Sequence, residues 1–152
     1  MSDSHSNNSN TIKYVSCSDT NETKQKKRYT FEEAVFSGWA SDGGMIVPEN
    51  IPTVDTHTLR EWAKLKYPEL CYEILRLFIS EKEIPSHELK HIIVENSFKR
   101  FEHENVVNVE KNILSAGNNN TNPNRSIGKI HIVELWHGPT LAFKDLGLQV
   151  RT

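Results

Sequence analysis

Polar and apolar positions are unevenly spread along this chain. The first eleven residues are rich in Ser and Asn and nearly empty of apolar side chains. They cannot offset the entropy of ordering and predict a disordered tail over 1–11. Tyr14-Val15-Ser16-Cys17 reads as a short strand. At Thr30 the pattern turns helical. Thr30-x-x-Glu33 has the spacing of a capping box, in which a hydroxyl and a carboxylate each satisfy an open backbone N–H. Phe31, Ala34 and Val35 supply the apolar spacing and Gly38 the stop. Ser41-Asp42-Gly43-Gly44 predicts a tight turn, and Met45-Ile46-Val47 a strand ended by Pro48.

Asp55 predicts the cap of a helix through Leu59, Trp62 and Leu65, and Pro68 suits the first turn of the next helix. That helix has the broadest apolar face, running from Leu70 through Ile74, Leu75, Leu77 and Phe78 to Ile79. Ser86 predicts a cap for a helix bearing Leu89, Ile92 and Ile93, with Phe98 and Phe101 packing near its end. Residues 111–128 turn Asn-rich and predict a surface loop. Lys129 to Trp136, with β-branched Ile130, Ile132 and Val133, is the strongest strand pattern. His137-Gly138-Pro139 breaks it, and Thr140 predicts the cap of a helix reaching Leu148. Helices interleaved with short strands make the class α/β.

Composition narrows the function classes. The 152 residues suit one modest domain, and 36% hydrophobic with 25% charged residues is a water-compatible profile with a lean core. A net charge of −2 argues against nucleic acid or an anionic membrane as partner. The basic cluster Lys24 to Arg28 is short and reads as a solvated loop. No apolar run approaches the ~18 residues of a membrane span, and the N-terminus lacks a signal-peptide core. Cys17 and Cys71 lie far apart, and no Cys/His spacing suits zinc, so no metal site is expected. A reduced, cytoplasmic compartment fits this cysteine usage.

The chemistry concentrates near the C-terminus. Strand, sharp turn and helix place a helix start beside a strand end, a common seat for anionic ligands and cofactors. His137, Thr140, Lys144 and Asp145 fall within this stretch. A lysine among apolar neighbours has its charged form disfavoured, which frees a neutral amine as a Schiff-base nucleophile. The plainer readings are a solvated helix lysine, a histidine bonded to backbone in a turn, a capping threonine and a first-turn acid favoured by the helix dipole.

Glu134-Leu135-Trp136-His137-Gly138-Pro139-Thr140-Leu141-Ala142-Phe143-Lys144-Asp145 resembles the cofactor-lysine motif of the threonine synthase family, ELFHGPT-x-AFKD. Phe31-Glu32-Glu33-Ala34, followed by Gly38-x-Ala40-Ser41-Asp42-Gly43-Gly44 and Pro48, resembles the family's N-terminal signature. Trp136 stands where Phe is usual and Trp39 where Leu is usual. The resemblance implies the N-terminal portion of a fold-type-II, tryptophan synthase β-like pyridoxal-phosphate enzyme, present as an incomplete domain. It implies conversion of O-phospho-L-homoserine and water to L-threonine and phosphate. Lys144 is then the cofactor-binding and catalytic residue, His137 and Thr140 shape the site, and Asp145 sets the position of Lys144. Residues 12–110 are expected to form the N-terminal domain, 111–128 a loop, and 129–152 the start of the cofactor-binding domain. Family chains are far longer, and no Gly-rich phosphate cradle occurs here, so these residues alone are expected to be an inactive fragment. A threonine-synthase-like phospho-lyase and a non-catalytic interaction module are the alternatives.

Overall fold

The structure, a computed structural model, describes residues 12–19, 26–111 and 130–151. The expected tail over 1–11 and nearly all of the Asn-rich loop lie outside the described residues. The chain separates into two compact units, Met1–Lys64 with Cys71–Lys90, and Leu65–Leu70 with His91–Thr152.

The first unit is built on two short antiparallel strands, β1 (Tyr14–Ser16) and β2 (Ile46–Pro48), paired with Val15 opposite Val47. Tyr14 also exchanges backbone hydrogen bonds with Tyr29, at 3.1 and 2.8 Å. Tyr14, Tyr29 and Ala40 are buried together, with Ile12, Phe31, Ala34 and Ile46 packed around them. The Tyr14 hydroxyl donates to the Phe78 carbonyl at 2.7 Å. Its burial, and then the nearby charge of Glu83, push its pKa up to about 12.

Between the strands runs α1 (Phe31–Ser37), and its predicted start is realised in full. Thr30 Oγ1 accepts from the Glu33 N–H at 3.1 Å, and the Glu33 carboxylate accepts from the Thr30 N–H at 2.8 Å. Gly38 ends the helix at φ 67°, a conformation glycine adopts without steric cost. The Asp42 turn follows as expected. One Asp42 oxygen accepts from both Ser16 Oγ (2.8 Å) and the Gly44 N–H (2.9 Å). These bonds, the Gly44 one first, hold its carboxyl below the usual range. A Cβ at Gly44 would overlap the Ser16 hydroxyl, so glycine is required there.

Asp55 caps α2 (Thr56–Trp62), accepting from the Thr58 N–H at 2.7 Å. This helix stops at Trp62, short of the predicted Leu65. The Ala63 N–H is shared between the Leu59 and Glu61 carbonyls, which tightens and closes the last turn. Pro68 lies in the first turn of α3 (Tyr67–Leu75). That helix also ends early, because Leu77 and Phe78 bond three residues back rather than four. Ser86 is the first residue of α4 (Ser86–Lys90) and not its cap, since the Leu89 N–H reaches the Pro85 carbonyl at 3.0 Å.

In the second unit the chain widens into a π-helical segment, His91–Ser97, which the sequence pattern did not predict. Ser97 Oγ donates to the Ile92 carbonyl at 2.8 Å and Asn96 Nδ2 to the His91 carbonyl at 3.0 Å. Both bonds span five residues and match the wider turn. Ile93, Phe98 and Val106 are buried in this unit. Tyr67, Phe98 and Phe101 meet edge to face at 5.3 and 5.4 Å between centroids. Two antiparallel strands complete it, β3 (Asn108–Lys111) and β4 (His131–Glu134), with Asn108 opposite Glu134 and Lys111 opposite His131. A short helix, α5 (Asp145–Leu148), continues into a 3₁₀ turn, Gln149–Arg151. No helix among the described residues is long and apolar enough to cross a membrane.

Candidate active site

The end of β4 and the turn that follows carry every residue singled out for chemistry. The predicted helix from Thr140 does not form. Leu141 takes φ 56°, a left-handed value that interrupts helical geometry, and α5 begins only at Asp145. Thr140 therefore caps no helix. Its N–H and its hydroxyl both donate to the Asp145 carboxylate, each at 2.8 Å.

Asp145 is fully buried. Burial alone pushes its carboxyl up. The Thr140 hydroxyl and N–H, the Ala142 backbone and the charge of Arg100 together outweigh that push and hold it below the ordinary carboxylate range. Gly138 is buried against it, and a Cβ there would overlap the Asp145 side chain. The loop from Gly138 to Lys144 is thus wrapped around one ionised carboxylate, which explains why glycine, threonine and aspartate sit at these spacings.

Lys144 directly precedes that anchor. Its backbone carbonyl accepts from the Gly147 and Leu148 N–H groups at 3.2 and 3.0 Å, so its main chain is fixed. Its side chain is exposed and makes no hydrogen bond or ion pair with other described residues. Among the described residues the expected apolar enclosure does not form around it, since Leu141 and Phe143 are themselves about two-thirds exposed, at 67% and 66%. An exposed primary amine without an ionic partner can condense with the aldehyde of pyridoxal phosphate, so the donor chemistry fits that cofactor.

His137 lies seven residues before the lysine. Its Nε2 is 2.9 Å from a Glu134 oxygen that also accepts from Asn108 Nδ2 at 3.0 Å. The hydrogen bond from Asn108, then that to His137, hold the Glu134 carboxyl below its ordinary range. An ionised carboxylate only accepts, so His137 Nε2 is the donor in this bond. The ring lies against that of His103, with centroids 4.6 Å apart and planes tilted by 35°, and the His137 carbonyl accepts from the Glu102 N–H at 3.0 Å. Sequence reasoning did not single out Glu134, Asn108 or His103 as acting on this site. The β-branched run around Val106, Val107 and Val109 was the available sign of β3, which delivers Asn108. No group of three His, Cys, Asp or Glu among the described residues is arranged to hold a metal.

The family described as Threonine synthase N terminus matches residues 13–98. Threonine synthase-like 2 of Mus musculus is 46% identical over 121 residues, 80% of this chain and 22% of the mouse protein. Threonine synthase of Saccharomyces cerevisiae is 40% identical over 124 residues, 81% of this chain and 22% of the yeast protein. The chain therefore spans about a fifth of the length of these relatives. Among solved structures, yeast threonine synthase superposes with a TM-score of 0.77 at 36% identity, over 94% of this chain and 25% of that one. PLP-bound threonine synthase from Brucella melitensis gives 0.68 at 28% identity, over 91% of this chain and 25% of that one. The α/β arrangement is thus that of the N-terminal stretch of these fold-type-II enzymes, and the chain belongs to the threonine synthase family.

Proposed function

We propose that this chain is the lysine-bearing N-terminal part of a pyridoxal-phosphate enzyme that converts O-phospho-L-homoserine and water to L-threonine and phosphate. The observation that carries the reading is the Gly138–Asp145 turn, whose buried carboxylate anchors the backbone beside an exposed Lys144 amine that pairs with no other described residue. When bound, pyridoxal phosphate supplies an electron sink for carbanions generated on the amino-acid substrate. Lys144 holds the cofactor and afterwards moves protons through Nζ as the site's base. Asp145 fixes the backbone from which that amine projects, while Thr140 and His137 shape the site. A cytoplasmic location goes with this reading, and no disulfide joins Cys17 to Cys71.

The test is chemical. Incubating the full-length protein with pyridoxal phosphate, reducing with borohydride and mapping the modified lysine should place the label on Lys144, and K144A should lose it. A label confined to other lysines would sink the assignment. The 46% identity to mouse threonine synthase-like 2, against 40% to yeast threonine synthase, favours a second reading, a threonine-synthase-like phospho-lyase. Analysing what the protein purified from its own cells makes from O-phosphohomoserine separates the two, threonine supporting the first and 2-ketobutyrate the second.

A further inference from the structure

The lysine turn is anchored at its far end by Asp145. Its near end is held by a different set of groups. His137 receives three constraints: on its ring, Glu134 at the end of β4 and the ring of His103 in the loop before β3, and on its backbone carbonyl, the N–H of Glu102. Glu134 is in turn fixed by Asn108 across the strand pair. The Asn108 amide has two N–H groups, and it also donates to Glu110 at 2.9 Å. One neutral side chain therefore serves both neighbouring carboxylates and relieves their mutual repulsion. His103 is oriented as well, because its Nδ1 accepts from the Asn105 N–H at 3.1 Å. The Glu134 and His137 side chains are only 20% and 18% exposed. At that depth a hydrogen bond to an ionised group is stronger and more directional than one at the open surface.

We propose that Glu134, with Asn108 and His103 behind it, is a positioning residue that acts through His137 to hold the lysine turn in its reactive pose. The inference rests on the reading of Lys144 as the cofactor-holding amine. Glu134 touches neither the lysine nor the proposed ligand. Its effect is to fix the Nε2–H form of His137 and, with it, the path of the chain entering Gly138.

The experiment, on the full-length protein, compares pyridoxal-phosphate labelling of Lys144, after borohydride reduction, with labelling of the other lysines of the same protein as internal reference. Wild type, E134Q, H137A and H137Q are measured together, with imidazole ¹⁵N spectra of wild type and E134Q. Gln at 137 places an N–H donor near the position of Nε2, so it tests the bond to Glu134 apart from the ring. Expected results are a several-fold lower Lys144 share in E134Q and H137A, substantial recovery in H137Q, and a defined Nε2–H form of His137 in wild type that becomes mixed in E134Q. Equal Lys144 labelling in all four proteins, or an unchanged His137 spectrum in E134Q, overturns the positioning role while leaving the lysine assignment standing. Wild-type label absent from Lys144 overturns both. E134Q is isosteric, so it reports on the network even if H137A fails to fold.

Discussion

At the scale of single residues, the most informative group is Asp145. A buried carboxylate is tolerated only where hydrogen bonds replace its water, and here Thr140 supplies two of them. Its folded-state pKa lies below the ordinary value. The ionised form therefore favours folding, and that contribution is complete above the unfolded carboxylate pKa of about 3.9. It is lost as pH falls through the lower folded value. D145N should be less stable than wild type at neutral pH and lose stability less steeply on acidification, because Asn has no such proton to gain. Denaturant midpoints measured from neutral pH down to the acid limb check this. Parallel curves for the two proteins would show that the carboxylate is not held in its ionised form.

At the scale of elements, legibility followed the reach of the forces involved. The capping box at Thr30, the Gly38 stop, the Asp42 turn and the Asp55 cap are all interactions within a few residues, and each was readable and is present. The elements that differ depend on partners five residues apart, outside the two- to four-residue spacings that turn, cap and helix patterns read. The π-helical segment is shaped by Ser97 and Asn96 reaching back five residues, a spacing that an ordinary helical period conceals. The helix expected from Thr140 is lost because Asp145 draws the Thr140 donors inward. In the site itself, the motif disclosed Lys144, His137, Thr140 and Asp145. Asn108 and His103 join only through the strand pairing and the ring contact that folding creates. The local elements can be tested directly. T30A removes the hydroxyl half of the capping box and should cost about 1 kcal/mol, read as a lower denaturant midpoint with little change in slope. No measurable loss would mean that packing of Phe31 and Ala34, rather than the cap, holds α1 in place.

At the scale of the whole molecule, exposed apolar side chains are prominent. Phe36, Trp39 and Met45 in the first unit are 80%, 64% and 52% exposed, and Ile51 is 79% exposed. In the second unit Leu141, Phe143 and Leu148 stand open, as do Ile132 and Val133 on β4. Scattered apolar residues are normal on a soluble surface, but large ones gathered within short stretches favour association in water. Net charge is only −2, which gives little electrostatic repulsion to oppose that tendency. The isolated 152-residue chain should therefore self-associate as its concentration rises, with sedimentation velocity showing larger species and a hydrophobic dye brightening on binding. The double variant F36S/W39S, which changes two exposed side chains of one stretch, should reduce both signals without altering the fold. A wild-type chain that sediments as a single monomer over a wide concentration range, with no dye response, would contradict the argument. It would mean that these side chains are too dispersed to act as one adhesive surface.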